Sequence, residues 1–344
     1  MLQESIEVKE LTLAEAAGLL SRPGHLFYHP SWLGLLIKHY GYSFLISSGP
    51  GGEYMVFARV TGLLGPKLVS LPFSDYTVPQ LAADRVPLHL AALQRLFPDM
   101  PILMKFAGFY ANPHELRFLG KPSSEACLHR VQLSVHSEKK MSATFRRGIK
   151  KALRNNLEAS ISTSAESLRQ FYTLFYRLRT EKLSLIPQCF QFFQQVYEQF
   201  ILQEKGFFYE VRKDGLLLAS AVILKEGNTL YYKWGCSSRE HLYLRPNNLL
   251  FGELLKLAAN NGFQYLDLGL SDLDETRGLI RFKDNMGADR TSIYSYQLYP
   301  PGYPLALEKK LKSMVNQLAD IVVQNNLPAD RTQSFSQALY PLFV

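Results

Sequence analysis

No apolar run in this chain approaches the roughly 18 residues that a membrane-spanning helix needs, so no transmembrane segment is expected. Cysteine is scarce: Cys127, Cys189 and Cys236 are odd in number and far apart, which supports neither a disulfide framework nor a zinc site. The first residues carry Glu4, Glu7 and Glu10 and lack a basic stretch followed by an apolar core. A secretory signal is therefore not expected, and the cytoplasm is the expected compartment. There is no HExxH, no P-loop and no convincing Ser-His-Asp or Cys-His set. These absences point away from covalent catalysis. Direct attack by an acceptor amine, accelerated by positioning and electrostatics, fits the residue types better.

The 344 residues suffice for two domains of ordinary size, each with its own core. Hydrophobic residues at 47% and charged ones at 20% describe a globular chain. The formal charge of +8 permits binding to phosphate-rich partners such as tRNA or sugar nucleotides.

Thr12-Leu13-Ala14-Glu15 has the form of a capping box ahead of a short helix. A second helix follows His29-Pro30-Ser31 and ends at Gly41. Phe44 to Ile46 and Tyr54 to Val60 flank the turn Gly49-Pro50-Gly51-Gly52 as an antiparallel hairpin, and Lys67 to Leu71 continues the strand pattern. The polar-aromatic loop Pro72-Phe73-Ser74-Asp75-Tyr76 precedes a helix from about Asp84 to Phe97 and a strand from Ile102 to Phe106. Its plain reading is a turn whose aromatics pack inward. Its functional reading is a substrate loop in which Asp75 orients or deprotonates an amine.

The densest positive charge lies between Met141 and Arg154. On a helix, Arg146, Lys150 and Arg154 recur at four-residue spacing and Arg147 and Lys151 form the adjacent row. That pattern reads either as a solvated face or as a surface for phosphates. Glu166 to Leu185 and Phe190 to Glu204 form two amphipathic helices, interrupted at Pro187. Phe207 to Arg212, Leu216 to Leu224 and Thr229 to Trp234 form a three-stranded meander. A further helix is expected over about Leu305 to Gln324.

The meander's last strand, Leu230-Tyr231-Tyr232-Lys233-Trp234-Gly235, leads through Arg245-Pro246-Asn247-Asn248 into an amphipathic helix. The interior strand Tyr265-Leu266-Asp267-Leu268-Gly269 follows, and then Gly278-Leu279-Ile280-Arg281-Phe282-Lys283-Asp284-Asn285-Met286-Gly287. This order resembles the C-terminal half of the FemAB-like acyltransferases, relatives of the GNAT fold that join amino acids from aminoacyl-tRNA to peptidoglycan precursors or occur in envelope and exopolysaccharide contexts. The resemblance implies an α/β fold of tandem GNAT-like domains with mixed central sheets and a C-terminal helix. The expected boundaries are 1–137 for an acceptor-side domain, 138–300 for an acyl-donor-side domain and 301–344 for a helical tail packing on the first. The first half repeats the element order only loosely.

Within GLIRFKDNMG, Lys283 matches the lysine of the family's Phe-Lys motif, which implies a place at the acyl-donor site. A cation there can stabilise the oxyanion formed when an amine attacks the donor's ester carbonyl. Arg281 is its supporting charge. Asp267, inside an apolar strand, is either a structural acceptor or a carboxylate near the reacting amine. The expected catalytic residues are thus Lys283, Asp267 and Asp75. Arg146, Arg147, Lys150, Arg245, Asn247 and Arg281 are expected at the acyl donor or its phosphates, and Tyr76, Tyr232 and Trp234 at the acceptor. Asn247 also suits a helix cap.

In an ordinary GNAT enzyme the turn after the fourth strand is glycine-rich, so that backbone N–H groups can hold the coenzyme A pyrophosphate. Here residues 237–248 contain no glycine, and Pro246 removes a donor. The expectation is a transferase that forms an amide on an amine of a peptidoglycan or exopolysaccharide precursor. No cofactor is bound, and aminoacyl-tRNA or acyl-CoA is the donor substrate. The rivals are a coenzyme A-dependent N-acyltransferase and a non-catalytic binder of tRNA or a sugar nucleotide.

Overall fold

The computed structural model describes residues 6–19, 25–134, 139–273, 277–325 and 327–344. The chain begins with β1 (Glu7–Glu10), α1 (Leu13–Leu19), α2 (Pro30–Tyr40), β2 (Ser43–Ser48), β3 (Tyr54–Gly62), β4 (Gly65–Val69), α3 (Val86–Leu96) and β5 (Ile102–Ala107). It continues through β6 (Ser124–Gln132), α4 (Ala143–Arg154), β7 (Glu158–Ser162), α5 (Ala165–Arg177), α6 (Phe190–Val196), β8 (Gly206–Lys213), β9 (Leu216–Glu226) and β10 (Thr229–Ser237). Then come α7 (Pro246–Asn260), β11 (Tyr265–Asp272), α8 (Arg277–Asp284), β12 (Asp289–Leu298), α9 (Leu305–Gln324) and α10 (Ala329–Leu339).

Two compact units result. Unit 1 gathers Met1–Cys127, Thr291–Gln317 and Ala338–Val344; unit 2 gathers Leu128–Arg290 and Leu318–Gln337. The boundary expected between residues 137 and 138 lies outside the described residues.

Unit 1 has strand order β1-β2-β3-β4-β5-β12. β1 to β4 are antiparallel neighbours, β5 joins β4 in parallel through Leu68↔Ile102 and Val69↔Leu103, and β12 closes antiparallel on β5. The capping box forms: Thr12 N–H donates to Glu15 Oε2 at 2.9 Å and Glu15 N–H to Thr12 Oγ1 at 3.2 Å. Gly41 ends α2 in the left-handed region at φ 69, where a side chain would strain. Leu45, Phe57, Leu68, Leu90, Leu93, Ile102 and Phe106 form the core between the sheet and α3.

Unit 2 repeats the plan, with order β6-β11-β10-β9-β8-β7. β7 to β10 are antiparallel, and β11 joins β10 in parallel. The β8–β9 turn uses positive φ at Asp214 and Gly215, as a two-residue hairpin requires. The two amphipathic helices end in π-turns, Leu178–Lys182 and Tyr197–Ile201, so each α-helix is shorter than its apolar pattern. The core runs from Val211, Leu218 and Ile223 on the sheet to Leu250, Leu254 and Ala258 on α7. This is the tandem GNAT-like α/β architecture, with mixed sheets and helices at the C-terminal end. α10 has no counterpart in the apolar pattern; its Ser336 hydroxyl donates to the Pro187 carbonyl at 2.5 Å, within unit 2.

Candidate functional site

The parallel pairing of β10 and β11 holds for Thr229↔Tyr265, Leu230↔Leu266 and Tyr231↔Asp267 and then stops, although both strands continue. Two local devices turn the strands at that point. On β10 the register against β9 shifts between Tyr232 and Trp234, a bulge, and the Tyr232 hydroxyl lies over Gly235 so closely that a Cβ there would be 2.0 Å away. On β11 Gly269 takes φ 68, and its N–H donates to Asp267 Oδ1 at 2.9 Å. Asp267, 1% exposed, therefore shapes the strand.

Lys283 is 3% exposed on α8, and its ammonium donates to the Gly269 carbonyl at 2.9 Å and the Leu270 carbonyl at 3.0 Å. These carbonyls belong to the part of β11 that has left β10. Next to Lys283, Asp284 takes the Arg290 guanidinium at 2.7 Å and meets His129 Nε2 at 3.3 Å. Burial first, then the Lys283 charge, holds the His129 pKa down to about 4, so the imidazole is neutral at pH 7. The Arg290 hydrogen bond keeps the Asp284 carboxyl below its ordinary range.

α8 presents a second face at Gly278, Arg281, Phe282 and Asn285, spaced i, i+3, i+4 and i+7. The same spacing on α4 places Thr144, Arg147, Gly148 and Lys151 together. With Arg245 of the β10–α7 connection and Asn248 in the first turn of α7 they line a cavity of about 360 Å³. Four cations, Arg147, Lys151, Arg245 and Arg281, converge there from three elements, and among the described residues no carboxylate lines the cavity. Such a set suits phosphate oxygens. Close approach of α4 to α7 makes the cavity: a Cβ on Gly148 would stand 2.5 Å from the Asn248 amide, and one on Gly252 2.5 Å from Ile149 Cδ1.

The residues expected from sequence divide accordingly. Arg147, Arg245 and Arg281 are brought together in the cavity, while Arg146 and Lys150 are exposed on α4 outside its lining. Asn247 instead donates to Ser237 Oγ at 3.1 Å. It does not cap α7, whose N-cap is Arg245 at φ 66 with no side-chain hydrogen bond, because the chain enters the helix through Pro246. Tyr232 packs on Phe251, with ring centroids 5.0 Å apart. The Trp234 indole donates to Gln188 Oε1 at 3.2 Å, against Phe192 and Phe193. In unit 1, Tyr76 is 1% exposed among His25, Phe27 and Phe109, and Asp75 beside it is half-buried.

Sequence reasoning missed His129, Asp284 and Arg290, which nothing in their spacing connects, and Asn248, which differs from Asn247 only by helical phase. Lys151 was legible as the partner of Arg147 at i+4. Among the described residues no three His, Cys, Asp or Glu side chains lie close enough to hold a metal ion, and no helix is long and apolar enough to cross a membrane.

Residues 139–283 match the acetyltransferase (GNAT) domain family. The chain is 30% identical over 105 residues to the lipid II:glycine glycyltransferase of Staphylococcus epidermidis, a stretch covering 28% of this chain and 25% of that protein. Thus it spans about a quarter of the length of that relative. In three dimensions it is similar to FemX, with TM-score 0.67 and 15% identity over 87% of this chain and 99% of the other. The C-terminal domain of a putative lysylphosphatidylglycerol synthetase from Agrobacterium fabrum aligns with TM-score 0.60 and 13% identity, over 90% of this chain and 96% of that one. A tandem GNAT protein from the clavulanic acid biosynthesis pathway aligns at 0.50 and 12% identity, over 85% and 98% of the two chains.

Proposed function

We propose that the chain is a FemAB-like, GNAT-related acyltransferase which passes an aminoacyl group from a tRNA ester to an amine of a cell-envelope precursor. The observation that carries the reading is the cavity in which Arg147, Lys151, Arg245 and Arg281 converge from α4, α8 and the entry to α7. Four convergent cations match a donor that carries several phosphates. The partial likeness to a glycyltransferase supports the same chemistry.

In this reading the phosphates of the donor end rest on the cavity cations. The acceptor amine attacks the ester carbonyl, the ribose hydroxyl leaves with a proton, and an amide forms. Lys283 fixes the separated end of β11 through two carbonyls, and its charge, in surroundings of low dielectric, would stabilise the oxyanion. Asp267 holds the Gly269 turn that places those carbonyls. Tyr232 and Trp234 in unit 2 are our assignments for the acceptor.

The gap between β10 and β11 favours one second reading, a coenzyme A-dependent N-acyltransferase whose pantetheine arm would enter there. Against it, residues 237–248 have no glycine and α7 starts at a proline.

Binding titrations with aminoacyl-tRNA, uncharged tRNA and acetyl-CoA over a range of salt decide between the two. We expect preference for charged tRNA, weakening as salt rises, and a loss of at least about tenfold in Arg147→Glu and Arg281→Glu, exposed positions where folding survives. Tight acetyl-CoA binding without tRNA preference would replace this reading with the second. Lys283→Ala is a poorer probe, because it orphans two carbonyls at about 1–3 kcal/mol each.

A further inference from the structure

Unit 2 holds a second cavity, of about 490 Å³, that the transfer reading does not use. It lies at the C-terminal end of α7, where Leu257 and Asn261 reach its wall, whereas the cation-lined cavity takes Arg245 and Asn248 from the other end of that helix.

Its floor is apolar. Phe207 on β8 and Leu230 on β10 are buried, Leu257 and Phe263 are half-buried, and Ile161 on the edge strand β7 is 49% exposed. Strand alternation explains the floor: Phe207 shares a face with Tyr209 and Val211, and Leu230 shares it with Tyr232, the face that packs on α7. The helix stops at Asn260 and the chain turns through Gly262 at φ 76, so this end of the sheet face extends past its cover.

Two opposite charges stand at the rim. Lys225 is the cross-strand partner of Leu230, and its side chain therefore leaves β9 on the same face. Glu204 arrives just ahead of β8, where the Lys225 N–H donates to the Lys205 carbonyl at 2.8 Å and brings the two segments side by side. Both residues line the cavity, and among the described residues neither forms an ion pair. Glu204 also holds φ 57, a left-handed backbone that glycine would take without strain. Residues strained in this way collect where a ligand is held.

We propose that this cavity binds a free α-amino acid with a large apolar side chain, its ammonium on Glu204, its carboxylate on Lys225 and its side chain against Phe207 and Phe263. The charge pair selects the ligand. An α-amino acid carries an ammonium and a carboxylate on one carbon, so it meets both rim groups while its side chain enters the floor. A fatty acid or a simple amine would meet only one of them, and a phosphate would face the Glu204 carboxylate. None of these groups lines the cation-rich cavity, so the proposal does not depend on how the transfer donor binds.

The test is calorimetric titration of the intact protein with L-phenylalanine, with N-acetyl-L-phenylalanine, phenethylamine and glycine as comparisons. Saturable binding of phenylalanine is expected, at least about tenfold tighter than any comparison, because each lacks the ammonium, the carboxylate or the apolar side chain. Glu204→Gly removes the carboxylate and relieves the backbone, so its melting temperature holds or rises while phenylalanine weakens about tenfold. Lys225→Met keeps the apolar stem and weakens it similarly. Arg281→Glu leaves it unchanged. Absence of saturable binding, or equal affinity in Glu204→Gly or Lys225→Met, would overturn the site. Equal affinity for N-acetyl-L-phenylalanine or phenethylamine would overturn the assignment to an amino acid, and equal affinity for glycine would overturn the role of the apolar floor. Loss of binding in Arg281→Glu would move it to the cation-lined cavity.

Discussion

Arg245 holds a left-handed backbone that glycine would adopt without strain, and it holds it at the mouth of the unit 2 cavity. Replacing it with glycine should leave stability unchanged or raise it by up to about 1 kcal/mol, while affinity for the donor's phosphates falls. Thermal melts paired with a tRNA titration check both halves. His129 gives a second prediction. The unfolded chain protonates this imidazole near its ordinary 6.5, but the folded protein does not until about 4, so the unfolded state binds more protons between those values. Stability should therefore fall as pH drops from 6.5 towards 4. His129→Gln should make the slope of urea midpoint against pH shallower, with His39 and His89, also depressed by burial, supplying the remainder. Residue types were a fair guide here and residue phase was not: Asn247 and Asn248 are equivalent in a sequence, and only the turn imposed by Pro246 sends one to Ser237 and the other to the cavity.

Helix α4 was legible as a basic helix because its cations recur at four-residue spacing. Which row faces inward was not, since that depends on how closely α7 approaches. Gly148 and Gly252 set that approach, and they predict an asymmetry. Alanine at Gly148 must displace the short Asn248 amide and should cost about 1–2 kcal/mol even after its gain in helix propensity. At Gly252 the obstacle is the far end of the flexible Ile149 side chain, so propensity offsets the crowding and the net change should be within about 0.5 kcal/mol. Chemical denaturation of the two variants measures the difference. Donor affinity should fall in Gly148→Ala more than in Gly252→Ala, because Gly148 and Asn248 both line the cavity. The meander and the capping box were read correctly because their signals are local. The π-turns were not, because nothing in an apolar pattern distinguishes i+4 from i+5 bonding.

Strand order within each half could be anticipated from the repeated succession of elements. The composition of the units could not, because β5 completes its pairing with a strand that begins at Asp289, and no local pattern encodes a partner so distant in sequence. Unit 2 likewise depends on Leu318–Gln337, where Gln333 accepts from the Phe190 N–H and Ser336 donates to the Pro187 carbonyl. Residues 128–290 made alone should therefore be less stable by about 2–4 kcal/mol and be cut by protease near Pro187, since two polar partners and the buried Ala319, Val322 and Val323 are gone. Supplying residues 318–337 through a linker should restore resistance; equal resistance without them would show that the helix contributes nothing to the unit. The same interleaving governs the nascent chain. Proteins of more than one unit ordinarily fold the first while the second is still being translated, but here the last strand of unit 1 follows nearly all of unit 2. Both units can thus close only once the ribosome has passed residue 337, which leaves each incomplete sheet edge in need of shelter until then.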